Sequence, residues 1–162
     1  MDSRKVFQMN LDGSNMIVQM YLGDLSDADL LVRPVPGCNH IAWQLGHLIV
    51  SELSMAAGAG ATVPELPAGF AEKHSSDNSK FDSPSAFYPK ATYLELIQQV
   101  RAATQAALLK QSDADFEKES PEQFREYAKT IADLFNVISM HWLMHAGQWA
   151  VVRRKLGRAP MF

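Results

Sequence analysis

Three histidines carry the chemistry that this sequence most plainly offers: His47, and then His141 and His145, four residues apart near the C-terminus. Positions i and i+4 share one face of an α-helix, so His141-Trp-Leu-Met-His145 aims two imidazoles in one direction. His47 lies in a separate apolar stretch, Ile41-Ala-Trp-Gln-Leu-Gly-His47-Leu-Ile, and supplies a third. Three neutral nitrogen ligands on a divalent metal leave at least one position open for water or substrate. The competing reading is that each imidazole simply hydrogen-bonds a polar neighbour in the core. A lone HxxxH is a weak signal, but three buried imidazoles without a partner would be costly.

The site offers no evident protein base. Metalloproteases place a glutamate directly after the first histidine of HExxH, whereas Trp142 stands there in this chain. Glu52 falls about 140° around its helix from His47, and Asp133 lies off the histidine stripe. A metal would therefore have to lower the pKa of a bound water or thiol itself, which favours thiol activation over peptide hydrolysis. His40, one heptad before His47, is a candidate to line the pocket or to cap the helix start. Trp43 is a candidate neighbour of the site, or a core aromatic like Trp142 and Trp149. Gln148 is a candidate to orient a ligand histidine, or to bridge two helices. Cys38 reads as an inert, partly buried thiol, and His74, within a Pro/Ser-rich stretch, as solvated.

Helices must position these groups, and no strand pattern competes with them. Apolar periodicity marks a first helix from about Lys5 to Leu22, weakened at Gly13. Ser26-Asp-Ala-Asp29 opens a short turn ended by Pro34 and Pro36. Asn39 is the expected N-cap of a second helix reaching Ala57. Gly58 to Lys90 is rich in Gly, Pro, Ser and Asp, and reads as a lid, a binding loop or a disordered segment. Thr92-Tyr-Leu-Glu95 forms a capping box for a third helix reaching Lys110. Ser120-Pro-Glu-Gln123 opens a short turn with Pro at its first position. Thr130-Ile-Ala-Asp133 begins the last helix, which runs through Arg153, Arg154 and Lys155 to Gly157. Leu134, Ile138, His141, His145, Gln148 and Val152 then share one stripe, as do His40, Trp43, Gln44, His47 and Val50. The expected architecture is all-α, one four-helix bundle over residues 1–162 with a long loop between the second and third helices.

Composition narrows the function classes. The net charge is −3 with no long basic run, which argues against nucleic acid as a partner. The apolar stretch Ile131–Val152 is broken by Asp133, Asn136, His141, His145 and Gln148, and so is not expected to span a membrane. The first residues lack the apolar run of a secretory signal, and a lone cysteine fits a reducing compartment, so a cytoplasmic protein is expected.

Two segments carry a family resemblance: Pro34-Val-Pro-Gly-Cys-Asn-His-Ile-Ala-Trp43-Gln-Leu-Gly-His47-Leu and His141-Trp-Leu-Met-His145-Ala-Gly-Gln148-Trp. They resemble the two signature segments of the DinB/YfiT-like superfamily, with the match loosest from Gly58 to Lys90. The resemblance implies a four-helix bundle in which the residues matching His47, His141 and His145 bind one divalent metal, nickel or zinc. It also implies homodimers. Members of known activity are often thiol-dependent S-transferases or isomerases using bacillithiol, mycothiol or glutathione, acting on a small electrophile, and many members have no assigned activity. The alternative is a non-catalytic, metal-stabilised or ligand-binding bundle, and beyond it a metal-free scaffold.

Overall fold

A computed structural model describes residues 2–161, and it is all-α: no strand forms among them beyond an isolated bridge between Glu119 and Thr130. Four long helices make the bundle: α1 (Ser3–Leu22), α2 (Ile41–Gly58), α4 (Lys90–Lys110) and α6 (Ile131–Lys155). Two single-turn helices, α3 (Phe70–Lys73) and α5 (Asp113–Phe116), lie in the connections. No helix among the described residues is long and apolar enough to cross a membrane.

Side-chain contacts fix the direction of each helix. The end of α6 meets the end of α1, where Arg153 donates to the Tyr21 carbonyl at 2.9 Å and pairs with Asp24. Near their starts, the Phe7 and Phe135 rings lie 6.2 Å apart, so α1 and α6 run parallel. Lys90, opening α4, donates through Nζ to the carbonyls of Leu22 at 2.9 Å and Leu25 at 2.6 Å, which makes α4 antiparallel to α1. Gln111 at the far end of α4 donates to the Ala59 carbonyl just beyond α2, at 3.1 Å, so α2 and α4 run parallel. The helices pack in the cyclic order α1–α6–α2–α4. Two consecutive long helices that run the same way need a connection spanning the bundle, roughly 27 Å for a helix the length of α2. That requirement, rather than disorder, accounts for the long stretch between them.

The connection is ordered by packing, and His74 is its anchor. The expectation of a solvated His74 is wrong: the residue is 4% exposed. Tyr93 donates its hydroxyl proton to His74 Nε2 at 2.8 Å and accepts from the Tyr88 amide, which leaves Nδ1–H to donate to the Phe70 carbonyl at 2.7 Å. The ring lies flat on α2 at Gly46, where a Cβ would stand 2.0 Å from His74 Cδ2. Gly46→Ala is therefore expected to destabilise the protein by about 1–3 kcal/mol, because the pinned imidazole has no room to yield. Gly13→Ala, with nothing within 4 Å of its added Cβ, is expected to stabilise helix α1 by about 0.5–1 kcal/mol. Urea titration of the two variants checks both signs.

Several local expectations shift. Helix α1 starts at Ser3 on an Asp2 cap rather than at Lys5, and it continues through Gly13. His40, not Asn39, caps α2. The Thr92 box does not open α4: the helix begins at Lys90, whose amide is satisfied by Asp27 across the bundle at 2.6 Å. Pro121 stands just before a 3-10 turn, Glu122–Phe124, rather than at its first position. The Thr130–Asp133 capping box forms as expected, and Gly157 follows the end of α6 with φ +72°.

Candidate metal centre

Eleven of the 18 residues of α2 are buried, and between Ile41 and Ile49 only His47 is not among them. A helix covered on nearly every side must have each of its polar side chains partnered. That condition makes the site's arrangement readable from hydrogen bonds alone.

The antiparallel pair α2 and α6 brings His47, His141 and His145 together, with one ring nitrogen of each within 4.8 Å of the others. His47 Nε2 lies 3.2 Å from His141 Nε2. A metal holding two imidazoles tetrahedrally at about 2.0–2.1 Å sets their nitrogens about 3.3–3.4 Å apart, so the pair already has nearly that spacing. The ring centroids are 5.0 Å apart for His47 and His141, 4.9 Å for His141 and His145, and 5.5 Å for His47 and His145. No carboxylate belongs to the cluster.

Gln44 determines which nitrogen His145 turns to the cluster. The indole Nε1–H of Trp149 can only donate, and it points at Gln44 Oε1 at 2.8 Å, so that atom is the amide oxygen. His145 Nδ1 stands 2.9 Å from the same oxygen and must carry a proton to donate to it. Nε2 of the neutral ring is thereby left as a lone pair. The amide nitrogen of Gln44 donates to the Asn39 carbonyl at 2.6 Å and to Gln148 Oε1 at 3.2 Å. Both donors and both acceptor lone pairs of Gln44 are used.

Burial keeps the imidazoles neutral. It is the main cause that pushes His141 and His145 down to about 4, with neighbouring imidazoles adding to the effect, and it lowers His47 as well. Each shift favours the neutral imidazole, the form whose lone pair a metal requires. The donor set, its spacing and its protonation all fit a divalent ion that accepts nitrogen ligands.

Each remaining sequence candidate has a definite place. The Trp43 indole stacks on His47 with centroids 5.1 Å apart and planes 6° from parallel, while its N–H donates to the Ser75 carbonyl at 2.9 Å. Trp43 thus holds the His47 ring in plane. His40 does not line the pocket: its Nδ1 accepts from the Trp43 amide at 3.1 Å and its Nε2 donates to the Phe81 carbonyl at 2.9 Å. Gln148 reaches the histidines through Gln44 rather than directly. Glu52 is buried and committed elsewhere, to Trp142, Thr104 and Arg101. Gln44 is the residue that sequence reading left without a role. The signal available was a polar residue at i−3 from His47 on the same stripe.

A cleft adjoins the cluster. It has a volume of about 740 Å³ and opens between α2 and α6, and His141 borders it. Val50, Met55, Phe124, Val137, Met140 and Met144 make most of its wall.

The family model for the DinB superfamily matches residues 10–149 of this chain. A solved structure, of a conserved protein from Enterococcus faecalis, superposes with a TM-score of 0.68 at 12% identity, covering 98% of this chain and 99% of that one. At that identity the likeness concerns the fold. No curated protein matches the sequence.

Proposed function

The chain belongs to the DinB superfamily, and on that premise we propose that it is a metal-dependent enzyme in which His47, His141 and His145 hold one divalent ion, nickel or zinc. The chemistry proposed is transfer of a small thiol to an electrophile, or isomerisation with such a thiol. One observation carries this reading: a ring nitrogen from each of three histidines converges within 4.8 Å, with the tautomer of His145 dictated by Gln44. A divalent ion bound there would lower the pKa of a coordinated water or thiol, which suits a site with no carboxylate base. Of the chain's own residues, Trp43 stacks on His47 and Gln44 directs His145, while the apolar wall of the cleft adjoins His141. We further propose a cytoplasmic homodimer. Exposed Met9, Met16, Leu143 and Val151 on α1 and α6 favour self-association.

Elemental analysis of untagged protein beside a His141→Ala/His145→Ala variant tests the site. About one ion per chain is expected in the parent and none in the variant, with helical circular dichroism preserved in both. Absence of an ion from the parent, even after reconstitution with nickel and zinc, would overturn the proposal. Thiol-dependent turnover by the loaded parent separates an enzyme from a bundle that only binds its ion.

A further inference from the structure

We infer that the cleft between α2 and α6 receives an uncharged, apolar substrate, seated with one end toward the histidine cluster. This inference rests on the proposed metal site for its direction, but on the cleft wall for its chemistry.

The volume of about 740 Å³ is that of a small-molecule site. Beyond its aliphatic and aromatic wall, the cleft offers only the hydroxyls of Ser51, Ser54 and Tyr127 and the ring of His141. None of these is a cation that could pair with a carboxylate or phosphate. Arg125, next to the lining residue Phe124, is engaged with Glu119 and the Ser120 carbonyl, and Arg101 with Glu52. An ionised group drawn into this cleft would lose water without gaining a counter-charge. The rim continues the pattern, since Tyr127, Met140 and Met144 leave 57%, 57% and 60% of their surface to solvent. Methionines adapt their shape to apolar guests, and three of them, Met55, Met140 and Met144, run from wall to rim. In a two-substrate transfer, the ionised thiol then approaches from outside this wall, while the cleft orders the apolar partner.

Fluorescence of the uncharged probe N-phenyl-1-naphthylamine, with metal-free and zinc-loaded protein, measures occupancy of the cleft. Hexanethiol, octanethiol and 8-mercaptooctanoate compete against it. Octanethiol is expected to displace the probe about tenfold more effectively than its carboxylated analogue, and about fourfold more per methylene than hexanethiol. Ser54→Arg is expected to reverse the preference for the uncharged competitor, and Val137→Asp to weaken probe binding at least tenfold, both with unchanged metal content. Equal or tighter binding of 8-mercaptooctanoate by the parent overturns the inference. So does an absence of probe binding, or binding that arises only when a dimer dissociates, which would assign the apolar rim to a second copy of the chain. Because the metal-free protein is titrated as well, failure of the metal site shows as missing ion with the competition intact.

Discussion

Glu52→Ala is expected to lower the unfolding free energy by about 3–5 kcal/mol, because it strands a buried guanidinium. Glu52 is 2% exposed; it accepts hydrogen bonds from Trp142 Nε1 at 2.6 Å and Thr104 Oγ1 at 2.8 Å, and pairs with the Arg101 guanidinium at 3.0 Å. Glu52 is its closest charged partner: Nε and Nη1 of Arg101 have no hydrogen-bond partner, and its remaining support is the Trp142 ring at 5.9 Å and the more distant charge of Asp12. Burial pushes the guanidinium below its ordinary pKa, and attraction to Glu52 opposes that push. Without the carboxylate the desolvation is opposed only by the weaker attraction to Asp12 and the Trp142 ring, and the Trp142 indole N–H is orphaned too. Chemical denaturation should show a lower midpoint with an unchanged slope. A Glu52→Leu/Arg101→Met double variant should recover most of the loss, because it removes both charges and leaves apolar bulk. A loss below about 1 kcal/mol in Glu52→Ala would mean that water reaches Arg101. Through Trp142, beside His141, this network also ties α6, which carries two of the clustered histidines, to α2 and α4.

The histidine cluster was legible because its signal is local. His141 and His145 share a face by spacing alone, and the apolar stripe around them says that the face is turned inward. What sequence hid is what depends on contacts between distant residues. Gln44 looks like any polar residue on an amphipathic stripe until Trp149 and His145, more than a hundred positions away, meet its oxygen. His74 sits in a segment whose composition suggests solvent, yet it is buried because α2 presents no side chain at Gly46. A glycine in the middle of a strongly apolar helix was the clue to that close approach. The start of α4 differs from its local sequence signal for a similar reason. Thr92 and Glu95 form a sound local box, but Asp27 from another connection caps the chain two residues earlier. Helix number was readable from periodicity. Helix direction was not, although the long connection before α4 is what parallel neighbours demand.

For the proposed metal site, Gln44 is expected to be the decisive residue for ion affinity without being a ligand. Gln44→Leu is expected to weaken metal binding about 10–100-fold, the effect usual for losing the group that orients a ligand histidine. It should also cost about 2–4 kcal/mol of stability, since the N–H groups of Trp149 and His145 and the Asn39 carbonyl lose their partner in the core. Those two effects separate in Gln44→Glu. A carboxylate still accepts from Trp149 and His145, so Nε2 of His145 keeps its lone pair toward the cluster and affinity should stay within a few-fold of the parent. It can no longer donate to the Asn39 carbonyl at 2.6 Å or to Gln148 Oε1 at 3.2 Å, so stability should still fall. Gln148→Leu removes only the outer contact and should alter affinity little. Competitive chelator titration of the three variants, with thermal unfolding of each metal-free form, gives both quantities. If affinity tracks stability through the series, Gln44 is merely a core hydrogen-bonding group. If Gln44→Glu binds the ion like the parent while unfolding more readily, the acceptor on His145 Nδ1–H is what prepares the site.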